Sequence, residues 1–203
     1  MIQESTITTR AIFHQDVHRL LLEKVWNKDL PKVAICMSNA GFMPSIYHSD
    51  YTTMFCINSL SALGYGSCGI VNLFSKMTSK LDLTGDLSAL TCPENLQQIA
   101  EVAETCDVFI WAVGSVAENY RKVRPFQDGV FKLLEPHKDK LRVIEDSSGK
   151  QGLHPLSPSL RNKPWTLADF TIPKPQAEAE TSPANSDTGN STDTPAKPKR
   201  GNR

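Results

Sequence analysis

Several motifs that would assign the chain to a common enzyme class are missing. There is no G-x-x-x-x-G-K-[ST] phosphate loop, and no G-x-G-x-x-G turn joins the first predicted strand to the helix after it. There is also no G-x-S-x-G nucleophile elbow and no H-E-x-x-H metal-binding helix. These absences argue against the usual nucleotide-binding and hydrolase classes.

The cysteines, the apolar runs and the charge balance bear on metal binding, membrane insertion and nucleic-acid partners. The five cysteines include no C-x-x-C pair, so we expect no zinc or other metal, and a reduced, cytoplasmic environment. No apolar run approaches the roughly eighteen residues of a membrane helix, and the N-terminus has no apolar signal segment. Lys plus Arg and Asp plus Glu each total 22, so the overall charge gives no sign of a nucleic-acid partner.

The 203-residue chain is predicted to hold one folded domain and a tail. Residues 1–170 contain the large apolar side chains needed for a single core. Residues 171–203 are rich in Pro, Ser, Thr and Asn. They are predicted to be disordered, because too little apolar surface is available to offset the entropy of ordering.

Strand and helix signals alternate along the domain. Short apolar runs predict buried strands, and apolar spacing or capping residues predict helices between them. The alternation predicts a three-layer α/β/α fold around a short, mostly parallel four-stranded sheet. The predicted strands are Val33–Met37, Ile70–Leu73, Val108–Val113 and Leu141–Ile144. The first and third predicted helices are Asp16–Trp26 and Pro93–Thr105. The second is capped by Asp50 and runs to Leu63, and its inward residues are Met54, Ile57, Leu60 and Ser61. The fourth starts at the capping box Ser115–Glu118 and continues or restarts before Leu134.

Two asparagines occur where the first two predicted strands end, which is the end of such sheets that binds ligands. Asn39 begins a loop, where it can orient a water or a sugar, or close the strand as an Asx turn. Asn72 interrupts an apolar run, and a buried amide without partners costs about 1 to 3 kcal/mol. Its amide can read a base edge or bond to neighbouring loop backbone.

A stiff His-Pro loop follows the last predicted strand. Its two prolines restrict the backbone, so His154 is either held rigidly to donate to a developing anion or is part of a surface turn. Other residues near strand ends are candidates for chemistry. They are Phe42, Tyr47 and Trp111 for stacking, and Asp50, Glu145 and Asp146 as a general base.

These segments resemble the uncharacterised bacterial family called domain of unknown function 1643, which often occurs on mobile elements. The resemblance covers about residues 32–165 and is carried by VAICMSNAGF, DYTTMFCINSLSALGYGSCGIVNLFS, VFIWAVGS and GLHPL. The family usually reads Leu-Asn-Pro-Ser at the first strand end, where this chain has Met37-Ser38-Asn39-Ala40. It usually reads Asp-Pro-Thr before the next helix, where this chain has Asp50-Tyr51-Thr52.

The same layout resembles the uracil-DNA-glycosylase superfamily, with an Asn or Asp after the first strand, an Asn ending the second and a His-Pro loop after the last. That resemblance implies a DNA glycosylase without metal or cofactor, which hydrolyses the N-glycosidic bond of a flipped, modified base in double-stranded DNA, for defence against foreign DNA or for repair. It implies that Asn39 positions the attacking water, Asn72 reads the base and His154 stabilises the departing base anion. It further implies stacking by Phe42 and Tyr47, and phosphate contacts by Ser115, Ser157, Ser159 and Arg161.

Two other functions stay open on the residues. A non-catalytic module of a mobile element can bind nucleic acid or protein with the same fold, and the substituted first motif favours that alternative. An enzyme that acts on free nucleosides or nucleotides needs a closed pocket and little contact with duplex DNA. Fold alone does not choose among the three functions.

Overall fold

A mixed seven-stranded sheet organises the protein, for which a computed structural model describes residues 4–42, 46–47, 49–115, 120–160 and 163–174. The strands are β1 Thr8–His14, β2 His18–Val25, β3 Lys32–Asn39, β4 Ser67–Phe74, β5 Val108–Trp111, β6 Leu141–Glu145 and β7 Thr166–Asp169. The α-helices in the described residues are α1 Tyr51–Ala62, α2 Pro93–Thr105 and α3 Arg124–Leu134. The strand order is β1-β2-β4-β3-β5-β6-β7.

The four strands expected from the sequence form the centre of this sheet. β4, β3, β5 and β6 are parallel neighbours, and every residue of β4 is buried, as in a strand covered on both faces. β1 and β2 extend one edge in antiparallel fashion, and β7 extends the other. The α/β class is therefore confirmed. The prediction of a short four-stranded sheet is wrong, because three antiparallel strands enlarge it to seven.

The predicted helix Asp16–Trp26 is wrong, because this segment is the second arm of a hairpin. Gln15 and Asp16 have φ of 52° and 54°, and Val17 N donates to His14 O over 3.2 Å, which closes a tight turn. The apolar run after the turn fills both faces of β2. Short apolar runs fit a helix and a strand equally well, so periodicity alone could not separate the two.

A β-bulge in the hairpin redirects one side chain. Ile12 pairs with Leu21, but Phe13 pairs with Arg19, so Leu20 is an extra residue in β2. A bulge of this kind shifts the alternation of side chains. Phe13 packs on the α1 side of the sheet, whereas Leu21 packs on the opposite side. The bulge therefore turns Arg19 toward the face that α1 covers.

Helices cover both faces of the sheet. α1 packs Cys56 and Leu60 against one face, and α2 and α3 pack against the other through Ile99 and Leu134. On α1 the buried side chains are Thr53, Cys56 and Leu60. Of the predicted inward positions only Leu60 is buried, and Met54 is 43% exposed.

The predicted starts of α1 and α2 are confirmed. Asp50 caps α1, since its carboxylate accepts from Thr53 N over 2.7 Å, and Pro93 is the first residue of α2. After α1, Gly64 has φ +85°, and Gly66 lies so close to Asn27 O that a Cβ would clash with it. These glycines are part of a G-x-G-x-x-G run that precedes β4 rather than joining a strand to a helix, so it does not form a phosphate-binding turn.

Two other predictions concern parts of the chain that the structure does not describe. The capping box Ser115–Glu118 includes residues 116–119, and the predicted tail lies outside the described residues from 175 onward. Residues up to Pro173 belong to one compact unit. None of the described helices has the length and apolar character that crossing a bilayer requires.

The inward face of α2 gives a stability prediction. Replacing Ile99, which is 0% exposed, by Ala should lower the free energy of unfolding by about 2–5 kcal/mol, because it leaves a cavity against the sheet. Leu96 on the same helix is 41% exposed, and its replacement by Ala should cost less than about 1 kcal/mol. Urea unfolding of both variants measures the difference, and equal losses would contradict this orientation of α2.

Candidate functional site

The candidate site lies at the carboxyl end of the parallel strands, on the face covered by α1. Asn39 ends β3, and Asn72 lies two residues before the end of β4. Asn39 lies four residues after Ile35, and Asn72 lies two residues after Ile70. Residues an even number apart in a strand share a face, and both isoleucines belong to the core on the α1 side, so both asparagine side chains are on that face. The loop after β6 reaches the same edge, since a Cβ at Gly114 would lie 3.8 Å from His154 Cβ.

Asn72 is an interior residue that connects neighbouring strands. Its Oδ1 accepts from Arg19 Nη2 over 3.1 Å, and its Nδ2 donates to the main-chain carbonyl of Asn39 over 2.8 Å. The side chain is 0% exposed, so it has no surface with which to contact a base in this structure. Its position fits the alternative interpretation, in which a buried amide bonds to neighbouring backbone.

Arg19 is a site residue that sequence reasoning missed. It is 4% exposed, and burial lowers the pKa of its guanidinium to about 10, while the carboxylate of Asp50 opposes this shift. The group therefore still carries its positive charge at neutral pH. A charged residue directly before the apolar run Leu20–Leu22 was the available signal, but the helical interpretation of this segment concealed its direction.

Asp50 is the acid whose charge acts on both Arg19 and His154. Its charge favours the protonated forms of both Arg19 and His154 and so raises the pKa of each. One carboxylate oxygen caps α1 through Thr53 N, and the side chain is exposed to solvent. The cap fixes the position of the carboxylate and uses one of its two oxygens.

His154 presents a neutral imidazole. Its Nδ1 accepts from Leu156 N over 3.2 Å, so the neutral ring carries its proton on Nε2. Burial lowers its pKa below the ordinary value of 6.5, and the smaller effect of Asp50 acts in the other direction. Ser157 N donates to the His154 carbonyl over 2.8 Å and closes the turn. The ring is thus held as a hydrogen-bond donor at neutral pH.

Asp146 braces the loop that carries His154. Its Oδ1 accepts from Ser148 N, Ser148 Oγ and Lys150 N over 2.9, 2.6 and 3.2 Å. Hydrogen bonds from the hydroxyls of Ser148 and Ser159, together with those from backbone amides, hold the pKa of this carboxyl well below its usual range. The Ser159 hydroxyl therefore supports the loop, and its contact with a phosphate stays a prediction.

The remaining predicted residues are distributed around this edge. Phe42 and Tyr47, on the loop after β3, are 66% and 92% exposed, and Ser115 is exposed after β5. Ser157 is half-buried in the His-Pro loop, and Arg161 lies outside the described residues. Trp111 packs on the opposite face of the sheet, 4.7 Å from the ring of Phe131, and is therefore a core residue and not a stacking group of this site.

A second polar cluster adjoins the site where β2 begins. His18 Nδ1 lies 3.0 Å from Ser75 Oγ, which lies 3.8 Å from Cys92 Sγ, and Glu94 lies 3.9 Å from His14 Nδ1. Within the described ranges, no three His, Cys, Asp or Glu residues are grouped so that they could hold one metal ion. Burial raises the pKa of the Cys92 thiol, so it is not an activated nucleophile.

Two cavities lie away from the candidate site. One of about 170 Å³ is at the opposite end of the sheet, beside Lys32 and Ser67, which begin β3 and β4. The other, of about 600 Å³, is beside β7 and is bordered by Arg142 and Asp169. Neither is lined by Asn39, Asp50 or His154. The candidate site is therefore described by its converging side chains.

Comparison with known proteins gives one match. A family model described as "Protein of unknown function (DUF1643)" matches residues 19–156. The matched range runs from Arg19 to just beyond His154 and so spans the side chains that form the site. No curated protein and no solved structure matches the chain.

The bracing role of Asp146 gives a prediction with a pH signature. Because its pKa is lower in the folded protein than the ordinary value of 3.8, the ionised carboxylate stabilises the fold above about pH 4, and this contribution is lost as the pH falls further. Asp146→Asn should lower the melting temperature at neutral pH, and the difference from wild type should shrink toward about pH 3. Thermal unfolding followed by circular dichroism tests this, and a pH-independent difference would contradict the assignment.

The state of His154 can be observed directly. Long-range proton–nitrogen NMR spectra at neutral pH should show a neutral ring protonated on Nε2, because Nδ1 accepts from Leu156 N. On titration this ring should protonate only below the ordinary histidine pKa of 6.5. His154→Ala identifies the signal, and a ring that is cationic at neutral pH would exclude the neutral donor.

Proposed function

The chain belongs to the DUF1643 family of proteins of unknown function, and from the chemistry of its site we propose that it is a DNA glycosylase. The proposed reaction is hydrolysis of the N-glycosidic bond of a modified base flipped out of double-stranded DNA. The proposed biological role is defence against foreign DNA or repair. No step of the reaction requires a metal or a cofactor.

The state of His154 is the observation that carries this proposal. Breaking a glycosidic bond to a base leaves negative charge on the base and an oxocarbenium-like sugar. A neutral Nε2–H donor, fixed by the Leu156 N contact, is suited to stabilise that anion without reorganising during the reaction. The braces from Asp146 keep the loop in place, and such preorganisation is how positioned donors lower a barrier.

The asparagine at the end of β3 supports the same chemistry. Asn39 is half-buried, its Oδ1 accepts from Ser38 Oγ over 3.2 Å, and its carbonyl is held by Asn72 Nδ2. An amide fixed in this way is suited to hold a water molecule near the sugar. In this proposal Asn72 acts through Asn39 as a positioning residue and does not contact the base itself.

The surface around the site is suited to an extruded base. The exposed rings of Phe42 and Tyr47 provide stacking faces, which can offset the few kcal/mol that unstacking a base costs. Ser115 and Ser157 lie on the loops that follow β5 and β6, where hydroxyls can contact phosphates.

A base-release assay tests the proposal. DNA carrying uracil, hypoxanthine, 5-hydroxymethylcytosine, its glucosylated form or no modification is incubated with the protein and then treated with alkali, which cuts abasic sites. We expect cutting at one modified base. Asn39→Ala and His154→Ala should each slow it by about 100-fold or more, because each removes a group that acts on the transition state.

Matched controls separate chemistry from folding and binding. Asn58→Ala on the exposed side of α1, and His137→Ala beyond α3, should both release base at the wild-type rate. DNA binding without cutting of any substrate would favour the non-catalytic module instead. Release of base from free nucleosides but not from oligonucleotides would favour the nucleoside enzyme.

A further inference from the structure

Hydrolysis at this site requires a group that takes the proton of the attacking water. The Asn39 amide is not basic enough to accept it, and the neutral His154 ring carries its proton on Nε2 while its Nδ1 accepts from Leu156 N. The two asparagines and the histidine predicted from the sequence therefore leave the proton without an acceptor. A carboxylate near the same edge can supply one.

Glu94 lies 3.9 Å from His14 Nδ1 in the second polar cluster. Three other carboxylates lie near the strand ends, and two of them are committed elsewhere. Asp146 is occupied by donors from its own loop, which makes it a weak base. Glu145 accepts from Gln151 Nε2 over 2.6 Å at the surface. Asp50 makes one hydrogen bond that fixes its place, the cap to Thr53 N, and its side chain is exposed.

The surroundings of Asp50 connect it to both halves of the site. Arg19, whose charge faces Asp50, donates to Asn72, and Asn72 in turn holds the backbone of Asn39. On the other side, the charge of Asp50 reaches His154. α1 and the loop of His154 pack into one core through Leu60 and Leu153, which fixes Asp50 relative to that loop.

We propose, on the premise of the glycosylase function above, that Asp50 is the catalytic carboxylate of this site and that Arg19 is its positioning partner. The oxygen of water forms a bond to the sugar C1′, and the C1′–N bond breaks with its electron pair passing to the base. The water proton passes to the carboxylate of Asp50, while His154 Nε2–H hydrogen-bonds the base anion. Solvent later protonates the base and takes the proton from Asp50.

The decisive variant keeps the helix cap. Asparagine caps helices about as well as aspartate, so Asp50→Asn should keep α1 in place. Its melting temperature and its affinity for DNA report any effect of removing the charge beside the buried Arg19. Its single-turnover rate of base release should fall by about 100-fold or more, because an amide cannot accept the proton. Asp86→Asn is the matched control, since Asp86 caps the short helix Leu87–Leu90 through Ser88 N and should be replaceable without loss of rate.

The pH profile distinguishes a proton acceptor from a structural residue. The dependence of the rate on pH should differ between wild type and Asp50→Asn, because only the wild-type side chain can accept a proton at this position. In the part of the chain that the structure describes, the charge of Asp50 acts on Arg19 on β2, His154 after β6 and Cys56 on α1, and Lys24 is close by through Ser49. The same profile is therefore recorded for Asp50→Asn/His154→Ala, to remove the contribution of the histidine.

Arg19 is tested by shape and by charge. Arg19→Met keeps most of the length but loses the cation, so the rate of base release should fall and its dependence on pH should change. Arg19→Lys keeps the charge and should restore part of both effects. Rates and pH profiles equal to those of wild type in both variants, at unchanged melting temperature, would overturn the positioning role.

The outcomes separate the two proposals. If the wild-type protein releases base and Asp50→Asn does so at the same rate with the same pH profile, the role of Asp50 is overturned while the glycosylase function stands. If the wild-type protein releases no base from any DNA substrate, the glycosylase function is overturned, and the role of Asp50 with it.

Discussion

The burial of the Arg19 guanidinium is the constraint on which the site geometry depends. Placing a cation inside a protein is costly unless its hydrogen bonds and charge are satisfied. Asn72 Oδ1 meets one of those needs over 3.1 Å, and the charge of Asp50 meets another. Because Asn72 also holds the carbonyl of Asn39, satisfying Arg19 ties β2, β4 and β3 together where the site is formed.

The central strands could be predicted because they are buried on both faces. β3, β4, β5 and β6 are short apolar runs, which is what a parallel strand between two helical layers requires. The flanking strands carry weaker signals. β7 has exposed residues at both ends and no buried one, and the apolar run of β2 fits either periodicity. Pairing with β1 and with β4 makes β2 a strand, and sequence reasoning did not include those contacts.

The same limit explains which parts of the site were found. Asn72 stood out because it interrupts an apolar run in a strand whose direction was already known. Arg19 instead lies beside His18 at the start of an apolar run. The face it occupies depends on the bulge at Leu20, and that bulge exists only when β2 is paired with β1. The proximity of Asp50 to both Arg19 and His154 depends in turn on α1 packing against the His154 loop through the core. Pairwise contacts of this range cannot be read from spacing along one chain.

The two aspartates at this edge differ in role because they differ in hydrogen bonding. Asp146 receives three donors on one oxygen, so its negative charge is already stabilised and it binds a further proton poorly. Such a carboxylate acts as a brace. Asp50 is exposed and accepts the cap bond from Thr53 N, so its position is fixed by one donor where Asp146 has three. The number of donors around each carboxylate, more than its distance from the strands, therefore decides which of them can take part in proton transfer.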